Sequence, residues 1–141
     1  MSFRFVATID VNSPAEVPVE FTGRARVSRQ GRLDCVIWYS NGELDNPEPR
    51  TPAFVKYREH GEPKQNRHYR QGRLHDPDLG QPAVEGFFAD GARKYREFYR
   101  YGRRHDSGEL PAITKWRNDG SVRTTHHYYE GLRIEPVRLA G

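Results

Sequence analysis

Eight glycines set in four pairs constrain what this chain can fold into more than any other feature. Gly31 and Gly42, Gly61 and Gly72, Gly91 and Gly102, and Gly120 and Gly131 each stand 11 residues apart, with 19, 19 and 18 residues from one pair to the next. Glycine returning at a set interval marks a backbone angle that other residues adopt only with strain. Asp90-Gly91, Asp119-Gly120 and Asn41-Gly42 are also the dipeptides that most favour tight hairpin turns. About seven to eight residues of alternating pattern lie between the glycines of a pair, enough for one strand.

The residues around the glycines repeat with them. PAVEGFFADGARKYREFYRYGRRHDSGE, from Pro82 to Glu109, meets PAFVKYREHGEPKQNRHYRQGRLHDPDL from Pro52 and PAITKWRNDGSVRTTHHYYEGLRIEP from Pro111. A fainter copy, TGRARVSRQGRLDCVIWYSNGELDNPEP, begins at Thr22. The expectation is an all-β chain of tandem β-hairpin repeats of about 30 residues. Four units (about 22–51, 52–81, 82–110 and 111–141) form one elongated antiparallel sheet that folds as a single cooperative domain. In three of the four units the first strand leaves a Pro-Ala pair, where proline costs no ladder bond. Each second strand ends on a tyrosine (Tyr39, Tyr69, Tyr99, Tyr128) preceded by a second large residue (Trp38, His68, Phe98, His127). Neighbouring side chains point to opposite faces of a strand, so this pattern predicts a single layer with rings on both sides. The connectors at 73–81 and 103–110 read as loop.

Residues 1–21 match no unit and read as an N-terminal β cap. FRFVATIDV alternates as a strand, with Phe3, Phe5, Ala7 and Ile9 on one side, and EVPVEF (16–21) reads as a second short extended piece interrupted by Pro18. With 35% hydrophobic residues and a mean hydropathy of −0.95 the chain would border on disorder, but 12% of it is aromatic and the rings fall at repeating positions. That combination predicts a thin, exposed fold held by aromatic contacts.

The net charge is +4. Residues 1–20 hold one basic and three acidic side chains, so residues 21–141 carry +6, a mild excess that favours anionic surfaces. Cys35 is the single cysteine, which excludes an internal disulfide and fits a reducing compartment. No stretch approaches a membrane span, and MSFRFVATIDV lacks the apolar core of a signal peptide. A cytoplasmic protein without membrane attachment is expected.

The unit resembles the MORN-like repeats, in a divergent variant with the pattern G-x-x-H-x-x-x-G-P-A, a D-G turn and W/Y-Y-x-x-G. The residues that carry the likeness are GRLHDPDLGQPA (72–83) with FADG (88–91) and GRRHDSGELPA (102–112) with RNDG (117–120). The likeness spans residues 22 to about 136. The chain departs from the pattern at Gly-Gln-Pro-Ala and Glu-Leu-Pro-Ala, at Asp45 and Ile134 in place of the connector histidine, and at Thr22-Gly23 in place of Pro-Ala. The resemblance implies an elongated hairpin array that acts by binding, of the kind found in phage-encoded proteins and in bacterial antitoxin or immunity proteins.

No catalytic set is legible: there is no nucleophile elbow, P-loop or dinucleotide fingerprint. His75-Asp76 and His105-Asp106 are repeat equivalents about 10 Å apart, too far to share one zinc; hydrogen bonds within their loops explain their recurrence. No enzyme activity, metal or cofactor is expected. Two binding readings remain. Arginines interleaved with Tyr69, Phe98, Tyr99, Tyr101, Trp116 and Tyr128 suit stacked bases and phosphates. The same residue types are enriched at protein-interface hot spots, and a protein partner, either a host defence enzyme or a toxin held and inhibited, is the favoured reading. A structural role repeats, so the residues whose equivalents differ, Tyr101, Arg104 and Arg100, lead the binding candidates, and Arg103, Arg70 and Arg73 join them. The open sheet edge near Thr124 to Tyr129 also permits a homodimer.

Overall fold

A computed structural model describes residues 7–137 and residue 139. Its fifteen strands, in chain order, are β1 (Thr8–Val11), β2 (Gly23–Arg29), β3 (Arg32–Ser40), β4 (Glu43–Leu44), β5 (Phe54–Tyr57), β6 (Pro63–Arg67), β7 (Tyr69–Arg70), β8 (Arg73–Leu74), β9 (Val84–Phe87), β10 (Arg93–Glu97), β11 (Tyr99–Arg100), β12 (Arg103–Arg104), β13 (Ile113–Trp116), β14 (Val122–Tyr129) and β15 (Leu132–Ile134). The protein is nearly all β. Its main sheet is ordered β1-β2-β3-β5-β6-β9-β10-β13-β14-β15, with β4 on the end of β3. Every pairing in it is antiparallel except β1 with β2.

The glycines make two kinds of turn. At Gly61, Gly91 and Gly120 the glycine N–H donates to the carbonyl three residues back (Arg58, Phe88, Arg117), and the strands close around a bulge. Gly42, Gly72, Gly102 and Gly131 instead come after a non-glycine residue that is itself at positive φ, so both central residues are left-handed, as in a type I′ turn.

The expected single strand between paired glycines is broken in the middle of the chain. His68 and Phe98 donate their N–H groups to the Ala83 and Ala112 carbonyls, and the backbone then leaves the main sheet. There it forms a hairpin with two residues per strand, β7–β8 or β11–β12, and β3–β4 and β14–β15 close the same way at either end. These short hairpins bond to one another: Gly72 donates to the Leu44 carbonyl, Gly102 to Leu74 and Gly131 to Arg104. The result is a second ribbon beside the main sheet and not the single layer expected from the sequence. The corner between the two is tightly filled: Ala53, Ala83, Ala112 and Phe98 are each 0% exposed.

The apolar core sits at the N-terminal end, where Val27, Cys35 and Ile37 pack with Val11, Tyr39, Leu44 and Phe54. Beyond it the same face turns polar, with Gln65 donating to Tyr95 Oη and Arg67 Nε donating to Gln65 Oε1. Tyr95 reaches that position because it lies flat over Gly86, its cross-strand partner. A methyl group on Gly86 would overlap the ring. Gly86→Ala should therefore lower stability by about 1–3 kcal/mol, and combining it with Tyr95→Ala should remove most of that added cost. Equal costs of the methyl in both backgrounds, measured by urea unfolding, would rule out this packing.

The cap differs from expectation in one respect. Thr8–Val11 is a strand, with Ile9 and Val11 on its more buried side, but 16–21 is not extended. Ser13 caps a 3-10 turn at Pro14–Glu16, and Phe21 N–H then closes a second turn on the Pro18 carbonyl. Two prolines within five residues keep this segment from donating a strand's run of N–H groups. The expected placement of Phe3 and Phe5 lies outside the described residues.

Candidate partner-binding face

Hydrogen bonds that repeat from hairpin to hairpin position this face. Asn46, Asp76 and Asp106 each use one side-chain oxygen to accept two backbone N–H groups. Asn46 takes those of Ala53 and Tyr69, Asp76 those of Ala83 and Tyr99, and Asp106 those of Ala112 and Tyr128, at 2.7–3.1 Å. Each residue thus ties the start of one long hairpin to the short hairpin that comes after it.

The residue before each of them, and Thr22 at the start of the array, bonds the next left-handed turn. Thr22 Oγ1 accepts from Asn41 N–H, Asp45 Oδ1 from Gln71, His75 Nδ1 from Tyr101, and His105 Nδ1 from Glu130, at 2.9–3.2 Å. The four turn residues have φ between 45° and 49°, a conformation rarely adopted by non-glycine residues. The connector histidines therefore recur because they hold the next turn and not their own loop. Burial lowers the pKa of both, with Arg70 and Arg100 adding to the effect at His75 and Arg100 at His105. Both rings are therefore neutral near pH 7, as an accepting Nδ1 requires.

The second side-chain atom of the Asn/Asp position meets a different residue in each case. Asn46 Nδ2 donates to His68 Nδ1 at 2.9 Å, and His127 Nδ1 stands 2.6 Å from Asp106 Oδ2. The corresponding neighbour of Asp76 is Phe98, which offers nothing. Burial pushes the Asp76 carboxyl up to about 7, against the opposing pull of the Tyr99 and Ala83 N–H groups and the Arg100 charge.

On the scaffold built this way, Arg70 and Arg73 are direct cross-strand partners in one short hairpin, and Arg100 and Arg103 in the next. Directly opposed residues share a face, so four exposed guanidinium groups point outward from the ribbon. The stems of two of them are set by packing: Arg73 lies against Gly102 and Arg103 against Gly131. Among the described residues no carboxylate lies within 4.0 Å of any of the four guanidinium groups. Tyr101, 53% exposed, stands at the tip of the second pair with its ring 4.4 Å from that of His75 and its hydroxyl 3.5 Å from Arg70 Nη1. A cleft of about 570 Å³ opens beside it, lined in part by Glu43, Arg70, Arg73 and Tyr101.

Arg104 does not join this group. It pairs across the strand with Tyr99, donates to Tyr99 Oη at 3.4 Å, lies 3.8 Å from Glu97 and stacks 5.5 Å over Tyr128. Of the six candidates, five are brought together and one serves the network behind them. Two residues that the sequence did not single out continue the outward face: Tyr129 and Leu132, cross-strand partners in the last hairpin, 57% and 70% exposed. Their signal was in the repeat, since they occupy the positions of Arg100 and Arg103.

On the opposite face of the main sheet the arginines cover the aromatics. Arg24 covers Trp38 at 5.7 Å, Arg96 covers Phe98 and Trp116 at 5.5 and 5.2 Å, and Arg93 also stacks on Trp116. These rings are beneath their own guanidinium groups and are not free to receive bases. Among the described residues no group of three or more metal-binding side chains stands together and no helix is long and apolar enough to cross a membrane. Compared with protein-family models, curated proteins and solved structures, the chain matches none of them.

Proposed function

We propose that this chain is a non-enzymatic binding protein that holds, and by holding inhibits, a protein partner through the outward face of the short-hairpin ribbon. The supporting observation is the pair of arginine pairs. Like charges placed directly opposite on a two-stranded hairpin destabilise it by about 0.2–1 kcal/mol per pair, and among the described residues no carboxylate forms an ion pair within 4.0 Å of Arg70, Arg73, Arg100 or Arg103. Charges kept at such a cost fit an anionic surface supplied from outside. Arg and Tyr are also the types that anchor protein interfaces. The resemblance to MORN-like repeats suggests the setting, a phage protein acting on a host defence enzyme or an antitoxin acting on its toxin. The Arg-covered rings of the opposite sheet face favour protein over nucleic acid as the partner.

Capture from host lysate tests this reading. The native chain should retain one stoichiometric protein, and Arg100→Glu with Arg103→Glu should lose it while the melting temperature stays within about 2 °C, since both side chains are on the surface. Retention of the same protein by the double variant would refute the assignment of this face. A complex that contains nucleic acid, and whose affinity falls steeply between about 50 and 200 mM salt, would replace the protein partner with an oligonucleotide.

A further inference from the structure

The ribbon sets its outward side chains at a regular interval, and that interval selects among possible partners. Neighbouring strands lie about 4.8 Å apart, so equivalent residues of successive short hairpins are about 10 Å apart. Along the ribbon the outward pairs are Ser40 with Glu43, Arg70 with Arg73, Arg100 with Arg103, and Tyr129 with Leu132. The face therefore reads acidic, cationic, cationic, apolar, with Arg73 and Arg103 held by packing against the next turn.

An extended peptide laid along this row fits poorly. Residues on one side of a strand recur about every 6.7 Å, at two residues, and every 13.4 Å, at four, and neither matches an interval near 10 Å. An α-helix fits. Positions i and i+7 lie on one side, two turns apart, separated by about 10.5 Å. Two acidic residues at that spacing would meet Arg70 and Arg100, or Arg73 and Arg103, in succession. A third position at i+14 would reach Tyr129, whose ring rests 5.0 Å from that of His105, and Leu132; both are more than half exposed and call for an apolar side chain. Glu43 at the other end repels a further acid, which fixes both the direction and the register.

We infer that the partner surface is an acidic amphipathic helix, presenting carboxylates at i and i+7 and a large apolar residue at i+14, laid along the row from Arg70 to Leu132. This rests on the proposed function, that the ribbon holds a protein. It adds Tyr129 and Leu132 to the binding face as the apolar anchor, and it explains why the outward pair changes from Arg/Arg to Tyr/Leu only in the last hairpin.

Fluorescence anisotropy with designed peptides tests it. One helical peptide of about 22 residues, long enough to hold a helix, carries Glu at i and i+7 and Leu at i+14. A second has the same composition with the two Glu residues five apart, and a third probe is a single-stranded oligonucleotide. The matched peptide should bind the full chain about tenfold or more tighter than the mis-spaced one. Arg70→Glu with Arg100→Glu should abolish that preference, and Leu132→Asp should weaken the matched peptide severalfold while leaving the mis-spaced one unchanged. Circular dichroism melts of these variants should match the parent chain. Equal affinity for the two peptides overturns the helix spacing, and so does failure of both to bind. Tighter binding of the oligonucleotide than of the matched peptide overturns the protein partner as well. If the peptides fail while lysate capture still depends on Arg100 and Arg103, only the helix is lost and the ribbon remains the binding face.

Discussion

Replacing Asp106 with alanine should cost about 3 kcal/mol, the most of any surface-proximal substitution in this chain, and lower the melting temperature by roughly 10 °C. The substitution removes the shared acceptor of the Ala112 and Tyr128 N–H groups and the carboxylate beside His127. Ala112 is 0% exposed, so water cannot readily replace the lost acceptor there, and a buried donor without a partner carries its full desolvation penalty. Asp106→Asn should cost much less. The amide oxygen can accept both N–H groups, and its nitrogen can donate to a neutral His127 as Asn46 donates to His68. Thermal unfolding of the two variants side by side is the measurement. Similar small losses for both would show that this residue does not tie adjacent hairpins together.

Asp76→Asn should have the opposite sign. The Asp76 carboxyl is pushed up to about 7 by burial, from an ordinary value of 3.8. Below about pH 4 it is protonated in both folded and unfolded chains and contributes no pH dependence. Between pH 4 and 7 the unfolded chain releases the proton and the folded one retains it, so stability falls as the pH rises; above about 7 the loss is complete. The group is partly solvated, and a discounted figure is on the order of 1–2 kcal/mol. Asparagine carries no charge to bury and can accept the same two N–H groups, as Asn46 does. The variant should match the parent at pH 4 and be more stable than it by that amount at pH 8. A stability difference that does not change with pH would mean that the carboxyl is ionised in the folded protein at no cost.

These two positions show how far a repeat can be read. Asp76 and Asp106 look alike in sequence, and each accepts the same pair of N–H groups. They differ because the residue 21 or 22 positions later is Phe98 in one case and His127 in the other. Only the fold brings those residues to the second carboxyl oxygen. The connector histidines obey the same logic. Their recurrence at repeat spacing was visible, but their bond to the next turn spans 26 and 25 residues, a distance at which sequence alone sets no partner.

The turns, the glycines and the all-β class are local properties. Positive φ at Gly42, Gly72, Gly102 and Gly131 and strand alternation between turns depend on steric limits within a few residues, so the amino-acid sequence determined them unaided. The break after His68 and Phe98, the second ribbon and the outward direction of Arg70, Arg73, Arg100 and Arg103 were decided by tertiary structure. A strand of two residues has no periodicity to read, and its direction is set by what it bonds to: the Leu44, Leu74 and Arg104 carbonyls of the preceding hairpin. The same geometry turned Arg104 toward Tyr99 and Glu97 while its neighbour Arg103 points to the other face. Adjacent residues of a strand must point apart, and only the packed hairpin shows which of the two finds partners within the chain.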